Sequence, residues 1–202
     1  FFRLEENLIF HGELGHNYLA IKNFIENNEV PLLGPPTSHP WLSFGPLFYW
    51  LFGPILWLAG YNPLAGAYFM ALASLVSLCL NFWLVRKLFD KKVALISSYL
   101  LAISPLWLSF TRNARFFFLV AVFVYPFLYF LFKSLKTGGK QLFWAGLFLG
   151  IMLNFHLASI CLIPTVLVLL YITRKTIERK RLLEGIVGLF IPQIPFLVYN
   201  AI

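Results

Sequence analysis

Four stretches of the chain are apolar for long enough to read as membrane helices: residues 64–85, 93–111, 116–132 and 183–202. A helix crossing the hydrocarbon core of a bilayer needs about 20 predominantly apolar residues. A fifth run, 141–173, is too long for one crossing. As a single helix it would measure about 50 Å at ~1.5 Å per residue, against a hydrocarbon core of about 30 Å. Its strongly polar interior residues gather at Asn154 and His156, with Ser159 just after. That predicts two short helices turning back near His156, with Pro164 tolerated near the start of the second.

Residues 44–60 are apolar but short, and they carry Gly45, Pro46, Gly53 and Pro54 among Tyr49, Trp50 and Trp57. Proline removes a helix hydrogen bond, and Trp and Tyr favour the headgroup level. The pattern predicts an interfacial or re-entrant helix on the outer face. A spanning helix here is the alternative, and it would move residues 1–42 into the cytoplasm. Upstream, Leu14, Tyr18, Ile21 and Ile25 recur at helical spacing while His16, Asn17, Lys22, Asn23, Glu26 and Asn27 cover other faces. This is an amphipathic helix lying along the membrane. Pro31, Gly34, Pro35, Pro36 and Pro40 then predict an irregular extended stretch.

The resulting fold class is an all-α polytopic membrane protein, with about six transmembrane helices plus two outer juxtamembrane helices. It reads as one module, residues 1–62 forming an outer loop with the juxtamembrane helices and 63–202 the transmembrane helices. The chain opens on Phe1-Phe2-Arg3 and stops inside an apolar run, as a fragment truncated at both ends would.

Composition agrees: 60% of residues are hydrophobic and only 12% charged, where soluble domains carry about 25%. The net charge of +8 in a soluble chain would suggest nucleic acid, but here the basic residues sit in short loops, where they set topology. Arg86, Lys87, Lys91 and Lys92 share one loop, Lys133, Lys136 and Lys140 a second, and Arg174, Lys175, Arg179, Lys180 and Arg181 a third. With 141–173 as a hairpin, all three loops fall on one face, which the positive-inside rule makes cytoplasmic. Arg112, Asn113, Arg115 and His156 then fall outside. The five Glu of residues 1–42, against Arg3 and Lys22, favour the same side for that segment. Cys79 and Cys161 lie in apolar runs and read as buried small hydrophobes. No GxSxG, Walker, HExxH or GxGxxG pattern occurs, so soluble nucleotide chemistry within these residues is not expected.

Positive charge on the translocated side calls for an anion. Arg112 can clamp a phosphate bidentately, with Asn113 beside it at a helix end; the alternative is snorkelling to headgroups. Arg115 is read as such a headgroup contact. Glu13, at the start of the amphipathic helix, is either a cap favoured by the helix dipole or a general base at the membrane surface. His16 and Asn17 follow it and are read as further substrate contacts. A divalent metal is the one cofactor the sequence leaves open, and His11 and His16 would need further ligands to hold it. His156 is either a hydrogen-bonded structural residue or part of the same outward cavity. Asn154 satisfies backbone groups near the turn.

Taken in order, these residues are familiar. An acidic residue precedes an amphipathic helix, then come Leu33-Gly34-Pro35-Pro36-Thr37-Ser38-His39-Pro40, Gly45-Pro46-Leu47-Phe48-Tyr49-Trp50, Leu88-Phe89-Asp90-Lys91-Lys92, Ile103-Ser104-Pro105 and the Arg112 loop. The chain resembles the integral-membrane GT-C glycosyltransferases of the dolichyl-phosphate-mannose–protein mannosyltransferase type (family 39-like) and their bacterial relatives that use undecaprenyl-phosphate sugars. The resemblance implies inverting transfer of a hexose or pentose from a polyprenyl-phosphate-linked donor to a glycan, lipid or protein acceptor. The reaction would take place on the outer face of a membrane, read as a bacterial plasma membrane. Membrane lipids are the other partner, and no nucleic acid is involved. Glu13 falls where the family places a catalytic Asp, and Leu14 where a second acidic or amide residue is usual. His16 falls where an Arg is common. The resemblance also implies that Arg112 with Asn113 lines the active site and that His156 faces the lipid phosphate. A protein that binds or translocates lipid phosphates or lipid-linked sugars without transferring them is the alternative.

Overall fold

The computed structural model describes residues 6, 8, 10, 12–39, 41–112, 115–174 and 177–201, with backbone alone for 110–112. The fold is all-α, as the hydropathy pattern predicts; among the described residues no strand forms, and the only extended pairing is one isolated bridge. Among the described residues three helical stretches are long and apolar enough to cross a membrane: Ala65–Leu88, Phe116–Lys136 and Arg179–Ala201. The chain forms two compact units, Phe1–Pro31 with Phe48–Val122, and Leu32–Leu47 with Phe123–Ile202.

In the first unit, α1 (Gly12–Glu26), α2 (Leu47–Leu58), α3 (Ala65–Leu88), α4 (Lys91–Ala102) and α5 (Pro105–Arg112) follow in order. The amphipathic helix α1 forms where its apolar spacing predicts, burying Leu14, Tyr18 and Ile21. Helix α2 occupies the aromatic run. Its 12 residues extend about 18 Å at ~1.5 Å per residue, too short to cross a hydrocarbon core. The run 93–111 is not one helix. It breaks at Ile103–Ser104, because Pro105 disfavours a helical conformation in the residue before it and starts a new helix as its first residue. The Ser104 hydroxyl accepts from the Trp107 N–H at 3.4 Å, capping α5. Asp90 caps α4 in the same way, accepting from the Val93 N–H at 2.9 Å. Small and polar side chains line α3 where it packs on these helices: Ser74 accepts from the Trp107 indole at 2.9 Å. The Asn81 amide donates to Ser97 and Ser98 at 3.1 and 3.0 Å. In a bilayer such inter-helix bonds hold helices that hydrophobicity alone would not sort.

The second unit contains the Leu32–Leu47 loop, most of α6 (Val120–Lys136), then α7 (Leu142–Phe155), α8 (Leu162–Ile172), α9 (Arg179–Phe190) and α10 (Ile194–Ala201). The proline-rich stretch is more ordered than its composition predicts. The Gly34 N–H donates to the Phe44 carbonyl and the Phe44 N–H to the Pro35 carbonyl, each at 2.9 Å, and the Thr37 N–H donates to the Leu42 carbonyl at 3.1 Å. Prolines 35 and 36 need only offer carbonyls in this ribbon, so their missing N–H groups do not break it.

The long run 141–173 breaks at His156, as its length predicts. Helix α7 ends there on an extended residue (φ −158°, ψ 126°), and a 3-10 turn, Leu157–Cys161, leads into α8. The chain then returns: Ile177 packs at Gly139, beside the start of α7. From there α9 runs parallel to α7, backbone nearly on backbone. Gly146 faces the Gly185 carbonyl, Gly150 the Leu189 carbonyl and Gly188 the Phe143 carbonyl. This is the small-residue seam of membrane helix pairs, where a missing Cβ lets the helices close in. On its other side, α7 meets α6 through stacked rings, Phe123 on Phe155 at 5.4 Å and Phe130 on Phe148 at 5.7 Å.

Candidate functional site

Glu13 stands in the first turn of α1, exposed. Its negative charge is favoured there by the helix dipole. His16, one turn on, is also exposed and begins a cavity of about 460 Å³ that includes Asn23, Asn27 and Glu29. What holds this face outward is the anchoring of the opposite one. The Tyr18 hydroxyl donates to the Pro63 carbonyl at 2.9 Å and accepts from the Gly66 N–H at 2.8 Å, tying α1 to the start of α3. Burial pushes the Tyr18 phenol up to about 12, so it stays a neutral donor across the physiological range.

Asn17 does not share the face of Glu13 and His16. It is buried, and its side-chain oxygen accepts from the Tyr49 hydroxyl at 3.0 Å. Burial raises the Tyr49 phenol as well, which keeps its proton in this bond. Asn17 therefore links α1 to α2. Tyr49→Phe should leave the Asn17 oxygen buried without a donor, destabilising the protein by about 1–3 kcal/mol. Thermal unfolding in detergent measures this, and adding Asn17→Leu should recover part of the loss.

Arg112 closes α5; its side chain, and Asn113 and His11 entirely, lie outside the described residues. Arg115 follows as an extended residue before the turn Phe116–Leu119. It is half-buried, its guanidinium lies 5.7 Å from the Phe117 ring centroid, and its Nε is buried without a hydrogen-bond partner among the described residues. A buried guanidinium N–H without an acceptor is expensive unless an anion completes it. Read from sequence as a headgroup contact, Arg115 is a stronger anion-binding candidate than its position alone suggested; no sequence signal reveals an unmet donor.

In the second unit His156 is half-buried at the turn after α7, its ring 6.0 Å from that of Phe44. Its Nδ1 accepts from the Ala158 N–H at 3.0 Å, so the neutral ring carries its proton on Nε2 as a donor. Asn154, wholly buried, donates to the Gly150 and Pro192 carbonyls at 3.2 and 3.1 Å, satisfying backbone as expected. Its Oδ1 faces Gly45 with no donor. Among the described residues no group of three His, Cys, Asp or Glu is gathered to hold a metal.

A family model described as dolichyl-phosphate-mannose-protein mannosyltransferase matches residues 38–199. Glu13, His16 and Asn17 precede the matched region; Arg112, Arg115 and His156 lie within it. No curated protein and no solved structure matches the chain.

Proposed function

Because the chain belongs to the dolichyl-phosphate-mannose-protein mannosyltransferase family, we propose that it moves a sugar from a polyprenyl-phosphate-linked donor to an acceptor on the outer face of the membrane. It is an integral-membrane glycosyltransferase; the donor, the face and the residue roles are our reading. Glu13 takes the proton of an acceptor hydroxyl, the oxygen attacks the anomeric carbon, and the bond from that carbon to the phosphate oxygen breaks with inversion. The polyprenyl phosphate departs as an anion that hydrocarbon cannot solvate, so cationic donors must receive it. Arg112, Arg115 and the His156 Nε2–H supply them, with Asn113 in the same loop and His16 on the acceptor side. A hexose or pentose and a glycan, lipid or protein acceptor fit equally, in a bacterial plasma membrane.

The observation that carries this reading is the half-buried Arg115 with an unmet Nε donor, three residues after Arg112. Charge-assisted hydrogen bonds contribute about 1.5–3 kcal/mol, so Arg115→Gln and Arg112→Gln should each lower transfer about 10- to 100-fold. The assay is the full-length protein in proteoliposomes with a panel of polyprenyl-phosphate sugars. Wild-type transfer from a soluble nucleotide sugar instead, or full activity in both variants, would refute the donor assignment. A non-transferring binder of lipid-linked sugars is the second reading. It is favoured by Leu14, which is buried in the packed face of α1 and offers no polar group beside Glu13.

A further inference from the structure

The second unit carries a groove that sugar transfer does not use. Its floor is the buried Phe127 and Leu131 of α6 with Leu142 and Leu149 of α7, and its rims are the exposed Leu167 of α8 and Ile186 of α9. The cavity measures about 400 Å³, within the usual range for small-molecule sites. From Leu142 to Leu149 it runs about 11 Å at the helical rise of ~1.5 Å. Along this length it is lined by apolar side chains and the glycines Gly146 and Gly185, a surface suited to a hydrocarbon chain.

One end differs from the rest. Arg174 is the one charged residue lining the groove. Its guanidinium carbon lies 4.1 Å from the Tyr171 ring centroid, and among the described residues no carboxylate pairs with it. The acids next along the chain, Glu178 and Glu184, are both engaged by Arg181, at 3.7 and 2.9 Å. The contact of Ile177 with Gly139 brings the α6–α7 and α8–α9 connections together at this end, and Lys140, Arg179 and Lys180 are exposed on them.

We propose that this groove binds an anionic phospholipid, with one acyl chain along the α6–α7 floor and the phosphate at Arg174. A free phosphate would leave the apolar floor unused, and a neutral lipid would leave Arg174 without an anion. The groove lies wholly in the second unit and shares no residue with Glu13, Arg112, Arg115 or His156, so the site is separate from the proposed reaction.

The test is native mass spectrometry of the full-length protein supplied with phosphatidylglycerol and phosphatidylcholine in equal amount. The protein should retain phosphatidylglycerol preferentially, inorganic phosphate should fail to displace it, and Arg174→Gln should weaken its retention about tenfold, as loss of one charge-assisted contact implies. Arg174 is exposed, so this change gives up its contact with the Tyr171 ring but disturbs no buried packing. Leu167→Trp, on the exposed rim, adds a second reading: chain-brominated phosphatidylglycerol should quench the added fluorescence more than brominated phosphatidylcholine. Equal retention of the two lipids, unchanged retention in Arg174→Gln, displacement by inorganic phosphate, or equal quenching would overturn the proposal. None of these readouts involves sugar transfer, so failure here leaves the transferase reading intact, and the reverse.

Discussion

Exchanging Glu13 for glutamine is expected to lower sugar transfer by about 10²- to 10⁴-fold, the contribution of a positioned general base, while donor binding survives. The substitution keeps the shape of the side chain and removes only its ability to accept a proton. Its structural effect is small. Glu13 is exposed in the first turn of α1, so the change forgoes a dipole interaction of about 0.3–1 kcal/mol. The packed face of Leu14, Tyr18 and Ile21 that fixes the helix is not touched. Glu13→Asp should retain measurable transfer, since it keeps the carboxylate. Transfer and donor photo-crosslinking measured together on the full-length protein decide the matter. Wild-type rates in Glu13→Gln would remove Glu13 from the mechanism. Donor crosslinking with no transfer by the unaltered protein would favour the non-transferring alternative.

How far the chain could be read in advance depended on which physical rule dominated each segment. Hydrophobic thickness fixes the long runs, so Ala65–Leu88, Phe116–Lys136 and Arg179–Ala201 form where apolar length predicts, and residues 141–173 break at His156. Hydropathy averages over backbone chemistry, however. The run 93–111 averages as one span, although Ser104-Pro105 carries a cap and a helix start within it. Asn17 is a different case. Its spacing from Leu14 and Ile21 places it on the packed face of α1, and only its polarity suggested a ligand. The bond to Tyr49 that makes its burial tolerable depends on a residue 32 positions away, which no local pattern reveals. Candidate anion donors were legible as misplaced charge. Which of them is held half-buried with an unmet N–H was not, because that depends on the packing around the Phe116–Leu119 turn.

Gly150→Ala should destabilise the protein by about 3 kcal/mol or more, the upper part of the range for overpacking a well-packed site. The glycines of α7 are visible in sequence as Gly146 and Gly150, one small-residue spacing apart, but what they face becomes clear only in the packed pair. A Cβ on Gly150 meets the Leu189 carbonyl of α9, which is backbone and cannot rotate aside. The helices must separate, and the separation reaches further than one contact. The Gly150 carbonyl accepts from the Gln193 amide at 2.7 Å, and the Asn154 amide bridges the Gly150 and Pro192 carbonyls. Moving α9 away from α7 would stretch these bonds together, leaving buried polar groups unsatisfied where no water can replace them. Gly185→Ala is the internal control. The Cβ added there meets the Leu142 Cβ at 3.3 Å, a close contact that a small shift relieves, so its effect should stay under about 1 kcal/mol. Unfolding of the two variants under identical detergent conditions should therefore differ by several degrees in midpoint, with Gly150→Ala lower. Equal midpoints would mean that the seam yields freely, and that the backbone contact between α7 and α9 is not what orders this end of the second unit.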